Sequence, residues 1–155
     1  MRLWTLFERD VRAFHRKFSV PTRERPNQIP EPERRMRIRL IREETDELIE
    51  AIEANDPIRV AGEAVDLIYV TIGTLVSFGV RALPVWREVQ AANMRKVPAP
   101  DGGKIRKPWG WEGPNLANAV IDQIHERRGI PGWVVTVVGV AIGLPVGFLV
   151  VNLLQ

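Results

Sequence analysis

Glu44 and Glu47 in REETDELIEAIEAND, with Glu63 and Asp66 in GEAVDLIYV, are the side chains whose type and spacing best suit chemistry. Each pair is three positions apart, so on a helix each pair projects two carboxylates from one face. Between the pairs, Asn55-Asp56-Pro57 reads as a helix stop, an N-cap Asp and a Pro at the first helical position. Two helices should therefore fold back on each other about residue 55. Glu47 and Glu63 then lie roughly 12 Å from the turn, and Glu44 and Asp66 about 16 Å, level across the antiparallel pair. Four converging carboxylates repel one another, and a hard divalent cation with oxygen ligands relieves that repulsion. Mg2+ is the expected ion, with Mn2+ as a substitute.

A Glu-rich helix face is often only solvated, so EExxE or ExxD alone carries little weight. Glu43, Asp46 and Glu50 fit that ordinary reading. The second pair is harder to dismiss, because VAGEAV precedes Asp66 and LIYVTIGTLV follows it. Acidic groups in so apolar a segment need partners, since burying them unpaired is costly.

The 155 residues, 45% of them hydrophobic, suffice for one modest core, or a larger one shared between subunits. The absence of cysteine excludes disulfides and thiolate metal sites. A net charge of +3 suits anionic partners in general, without choosing between nucleic acid, lipid and phosphorylated small molecules. The N-terminal MRLWTLFERDVRAF carries charges too closely spaced for a secretory signal.

Composition changes sharply near residue 129. The stretch 130–155, IPGWVVTVVGVAIGLPVGFLVVNLLQ, holds no charge, and between Trp133 and Val151 only Thr136 is polar. That length matches a membrane span. Arg127 and Arg128 before it favour a cytoplasmic location for the preceding domain, and Gly139, Gly143 and Gly147 would form a smooth strip for helix packing. The expected organisation is thus a domain over 1–129 and an anchor over 130–155, spanning through 130–154. Pro145 and the glycines leave open that this segment is instead a core helix, in which case the protein would be cytoplasmic.

Periodicity predicts helices over about 3–18, 33–54, 57–78, 81–95 and 116–126, with Gly79 as a stop, and no sustained strand alternation. In the first helix Trp4, Phe7, Val11, Phe14 and Phe18 read as a packing stripe. The loop KVPAPDGGKIRKPWGWEGPN carries four basic residues and two tryptophans. The architecture should be all-α, four helices around the carboxylates with the basic loop nearby.

Glu43-Glu44-x-x-Glu47, fifteen residues and then Glu63-x-x-Asp66 resemble the EExxE…ExxD signature of the all-α nucleoside triphosphate pyrophosphohydrolases. That superfamily includes MazG proteins, dimeric dUTPases and phosphoribosyl-ATP pyrophosphohydrolases. VRAFHRKF, DLIYVTIGTLVSFGV and EVQAANMRKVPAPDGGKIRKPWGW are similar to MazG-like members, so the resemblance covers about residues 8–114. It implies Glu44, Glu47, Glu63 and Asp66 as Mg2+ ligands, and Asn93 with Lys96 as a phosphate-contacting pair. It also implies a nucleotide substrate rather than a nucleic acid; a thin core and an apolar N-terminal helix lead one to expect a homo-oligomer, a dimer or a dimer of dimers.

Cleaving a phosphoanhydride needs charge neutralisation, an oriented water and donors for the leaving pyrophosphate. Glu43 is the candidate to orient or deprotonate the water, unless it is simply solvated. Lys96, Lys104, Arg106 and Lys107 either hold phosphate oxygens or form a solvated basic loop. Trp109 and Trp111 either stack on a base or anchor that loop. The expected activity is Mg2+-dependent hydrolysis of a nucleoside triphosphate, deoxy or non-standard, to the monophosphate and pyrophosphate. A non-catalytic membrane-tethered nucleotide-sensing or assembly module, and a phosphoribosyl-ATP pyrophosphohydrolase, are the rival readings.

Overall fold

The structure, a computed structural model, describes residues 5–99 and 102–125. These fold into five helices: α1 (Leu6–Lys17), α2 (Glu31–Glu53), α3 (Pro57–Phe78), α4 (Ala82–Met94) and α5 (Leu116–His125). Among the described residues the only strand-like pairing is one antiparallel bridge, Val97 to Arg106, inside the basic loop. The all-α expectation therefore holds. The apolar segment 130–154 lies outside the described residues.

The α2–α3 hairpin turns where the sequence says it must. Asn55 takes a positive φ of 52°, which Asn tolerates better than most residues. Asp56 then caps α3, its side chain accepting from the Ile58 and Arg59 amides at 2.9 and 3.1 Å, and Pro57 follows in the first turn. α2 packs along α3, α1 lies against α3, and α4 pairs with α5.

Gly79 ends α3 in the left-handed region at φ 72°. The Pro-rich connection after α1 then lies across this helix end and satisfies its last carbonyls. The Arg23 and Asn27 amides donate to Val76 and Phe78 oxygens at 3.3 and 3.0 Å, and the Arg23 guanidinium donates to Ser77 at 2.7 Å. Glu33 fixes that guanidinium through two contacts at 2.9 and 3.0 Å.

α1 buries a different face from the one its apolar stripe predicts. Glu8, Val11, Arg12 and His15 are inside, whereas Phe7, Phe14 and Phe18 stay substantially exposed and Trp4 lies outside the described residues. Hydrogen bonding decides the rotation. Glu8 closes a capping box with Thr5, and its other oxygen accepts from the Ala82 amide at 2.6 Å. α4 has no side-chain cap of its own. Its first free amides are met by Glu8 and by Gln123 of α5, whose oxygen accepts from the Arg81 amide at 2.7 Å. Replacing Glu8 with Ala is expected to cost about 3 kcal/mol, because several buried donors lose one acceptor together. Denaturant unfolding measures this; a loss within experimental error would show that the capping network contributes nothing.

The buried apolar set is small: Val11, Ile29, Ala51, Val76, Ala92 and Ala99. α3 is the one described helix long and apolar enough to cross a membrane by length and composition, and little of it is covered within the protomer. Ile58, Val65 and Ile68 on it are exposed.

Candidate active site

Side-chain oxygens of Glu44, Glu63 and Asp66 lie within 4.8 Å of one another. The hairpin register produces this directly: α2 supplies Glu44, and α3 supplies Glu63 and Asp66 one turn apart. Glu47 is charge-coupled to the cluster without joining the closest three. Glu44 is held above the ordinary carboxylate range by desolvation and then by the charge of Asp66, its strongest acidic neighbour. Glu47 is raised by desolvation and then by Glu63. The pairings Glu44 with Asp66 and Glu47 with Glu63 are those that equal distances from the turn require.

The donor set fits a hard divalent ion. Oxygens around an octahedral ion at about 2.1 Å are about 3 to 4.2 Å apart, so 4.8 Å needs only side-chain rotation. Glu44 and Glu47 are raised first by desolvation and then by their acidic neighbours, and a cation would relieve the second of these.

A cleft of about 810 Å³ opens beside Glu44 and Asp66, walled by Phe14, Met36, Leu40, Tyr69 and Val70. Phe14 meets Tyr69 edge to face, with ring centroids 5.6 Å apart. His15, Arg37 and Gly73 also line it. His15 is almost wholly buried and its Nδ1 finds no hydrogen-bond partner among the described residues. Its pKa is lowered to about 4, by burial first and then by the charges of Arg37 and Arg12, with the Pro21 carbonyl opposing. The imidazole is therefore neutral at pH 7. Sequence reasoning missed Arg37, one of five arginines between positions 34 and 42. The available signal was its position seven residues before Glu44, on the same face of α2.

A family model for phosphoribosyl-ATP pyrophosphohydrolase matches residues 11–93, the span that carries the cleft and all the clustered carboxylates. The chain belongs to that family. It thereby falls within the MazG-like all-α pyrophosphohydrolase superfamily. No curated protein matches the chain. As a phosphoribosyl-ATP pyrophosphohydrolase family member it is expected to hydrolyse phosphoanhydride bonds of a nucleotide, and its acidic triad can hold a metal ion.

The remaining expected site residues are not among those that line this cleft. Glu43 faces a shallow concavity on the outer side of α2, with Arg35, Arg39 and Arg42. Asn93 lies in the last turn of α4, and Lys96, Lys104, Arg106 and Lys107 lie on the loop beyond it; none lines the cleft. Trp111 anchors this loop, its indole donating to the Ala92 carbonyl at 3.1 Å with the Lys107 ammonium 4.6 Å from its ring centre. Trp109 is fully exposed.

Proposed function

We propose that the protein is a Mg2+-dependent nucleoside triphosphate pyrophosphohydrolase that releases pyrophosphate and a nucleoside monophosphate. The observation that carries this is the convergence of Glu44, Glu63 and Asp66 at the mouth of an apolar cleft large enough for a nucleoside. Glu44, Glu47, Glu63 and Asp66 hold the ion, Mg2+ or Mn2+. Bound there, the metal neutralises phosphate charge and lowers the pKa of water. Phe14, Tyr69, Met36 and Val70 take the nucleoside and exclude water from that side. Glu43 orients the attacking water; Glu47, exposed and next to Glu63, is the other carboxylate within reach, and Glu43→Gln set beside Glu47→Gln separates the two. The family match supports a second substrate reading, phosphoribosyl-ATP, whose bond to be cleaved is of the same kind.

Phosphate donors come from Asn93, Lys96, Lys104, Arg106 and Lys107. Because none of these lines the cleft of its own protomer, we assign them to the cleft of a second copy in a dimer or a dimer of dimers. The exposed Ile58, Val65 and Ile68 of α3 and Trp86 of α4 support such an assembly. Neutralising Lys96 or Lys104 is expected to weaken triphosphate binding by about 1.5 to 3 kcal/mol while leaving Mg2+ affinity nearly intact. Titration calorimetry reads both; an equal metal defect would count against a phosphate role.

The charge-free sequence 130–154 supports a tether that holds the domain at the cytoplasmic face of a membrane. One preparation of the full chain tests these readings together. Pyrophosphate release across a nucleotide panel, with and without Mg2+, tests the activity, and no release from any nucleotide overturns it. Light scattering tests assembly, and extraction without detergent argues against the tether.

A further inference from the structure

Arg37 is more than nine-tenths buried, yet it makes no hydrogen bond or ion pair among the described residues. A guanidinium in that condition is costly to keep, and Arg37 lines the cleft that begins at Glu44 and Asp66. Its surroundings tell what would satisfy it. His15 beside it is neutral and Gly73 lies under it: a Cβ at that position would stand 3.0 Å from Arg37 Nη1 and 3.3 Å from His15 Nε2. Phe14, Met36, Leu40, Tyr69 and Val70 suit a flat uncharged ring. Glu33 exerts a charge interaction on Arg37, and it would repel a phosphate dianion arriving there while leaving a neutral acceptor unaffected.

Separation along α2 agrees. Arg37 and Glu44 are seven residues apart, about 10 Å along the helix, comparable to the reach from the 5′ phosphorus of an extended nucleotide to the far edge of its base. With the phosphates at the carboxylates, that edge meets the guanidinium. Arginine donates and cannot accept, so adenine, with an amino donor beside its ring nitrogen, matches poorly. Two adjacent acceptors, a carbonyl oxygen and a ring nitrogen, match its two-pronged geometry.

We infer that the cleft between α1, α2 and α3 is a base-recognition site in which Arg37 selects a 6-oxopurine, guanine or hypoxanthine, through its carbonyl oxygen and neighbouring ring nitrogen. The inference rests on the nucleotide-hydrolase reading for the placement of the phosphates. Within that reading it names the substrate class, a guanosine or inosine triphosphate.

The test is calorimetric binding, to the full chain with Mg2+, of the α,β-imido analogues of GTP, ITP, ATP and UTP, together with hydrolysis of the parent nucleotides. The wild type should bind the guanine and hypoxanthine analogues at least about tenfold more tightly than the adenine and uracil ones. Arg37→Gln should abolish or reverse that preference, because a glutamine amide both donates and accepts and pairs with adenine. Gly73→Ala retains the charge but displaces the guanidinium, and should cut the preference several-fold even where Arg37→Gln fails to fold. Tighter binding of the adenine or uracil analogue by the wild type overturns the inference. So does a preference unchanged in Gly73→Ala and in any folded Arg37→Gln protein. If base preference appears in binding but no nucleotide is hydrolysed, the proposed activity fails and the recognition site stands. If all four nucleotides are hydrolysed and bind with equal affinity, the recognition site fails and the activity stands.

Discussion

Replacing Asp66 with Asn is expected to lower divalent-ion affinity and turnover together, each by at least about tenfold. The substitution keeps the shape of the side chain and removes the charge of one of three carboxylates whose oxygens now lie within 4.8 Å of one another. Turnover without Mg2+ should be at background in both proteins, and a variant with undiminished Mg2+-dependent turnover would remove Asp66 from the site. Stability should move the other way. Glu44 and Glu47 titrate above the ordinary carboxylate value in the folded chain, so above pH 4.5 the folded state binds more protons than the unfolded state. Stability of the metal-free protein therefore falls as pH rises through those raised values, and the loss is complete above them. Asp66→Asn should flatten that decline and Mg2+ should reverse it. Thermal unfolding over a pH series, with and without the ion, tests both, and a metal-free curve indifferent to the substitution would mean that the carboxylates do not strain the fold.

Gly79→Ala should be among the most damaging single-methyl additions available. At φ 72° any side chain is strained, and here a Cβ would come within 2.1 Å of the Arg25 carbonyl oxygen. Backbone cannot swing aside as a side-chain tip can, so the 23–27 segment must lift from the end of α3, losing its bonds to Val76 and Phe78. A loss of about 3 kcal/mol or more is expected, on the order of 10 °C in midpoint. Gly62→Ala is the control. It lies within α3 with nothing inside 4 Å of the added carbon, and should stabilise the helix by about 0.5 to 1 kcal/mol. Equal effects at the two positions would refute the steric argument.

Local signals carried much of this architecture. Asn55-Asp56-Pro57 and Gly79 are chain punctuation with a mechanism, and they set the hairpin register that brings Glu44 to Asp66. Periodicity misjudged α1 because it weighs apolarity alone. The buried face is chosen there by Glu8 and Arg12, whose partners at Ala82, Arg23 and Glu24 are brought to them only by the completed fold. Arg37 was hard to single out for a related reason: among five arginines within nine positions only its place on the Glu44 face of α2 marked it, and burial in the fold sets it apart. The basic loop was recognisable as a loop and as basic, and anchorage by Trp111 was one of the two roles its sequence allowed. Its distance from the cleft depends on how α4 leaves α3, which no short-range pattern encodes.

The carboxylate of Glu8 joins Thr5 to Ala82 across most of the matched region, and this bears on the order of assembly. The α2–α3 hairpin uses neighbouring contacts and can form once residue 79 has been synthesised. α1, made first, meets Arg23 and Glu24 through Arg12 early, but cannot complete its Glu8 contacts until α4 begins. Closing so long a loop carries a large entropic cost before any contact rewards it, so α1 docking is expected late, after the barrier. Glu8 variants should then unfold faster while folding at nearly the native rate. In a growing chain, the Glu8 carboxylate would stay hydrated until it found the start of α4.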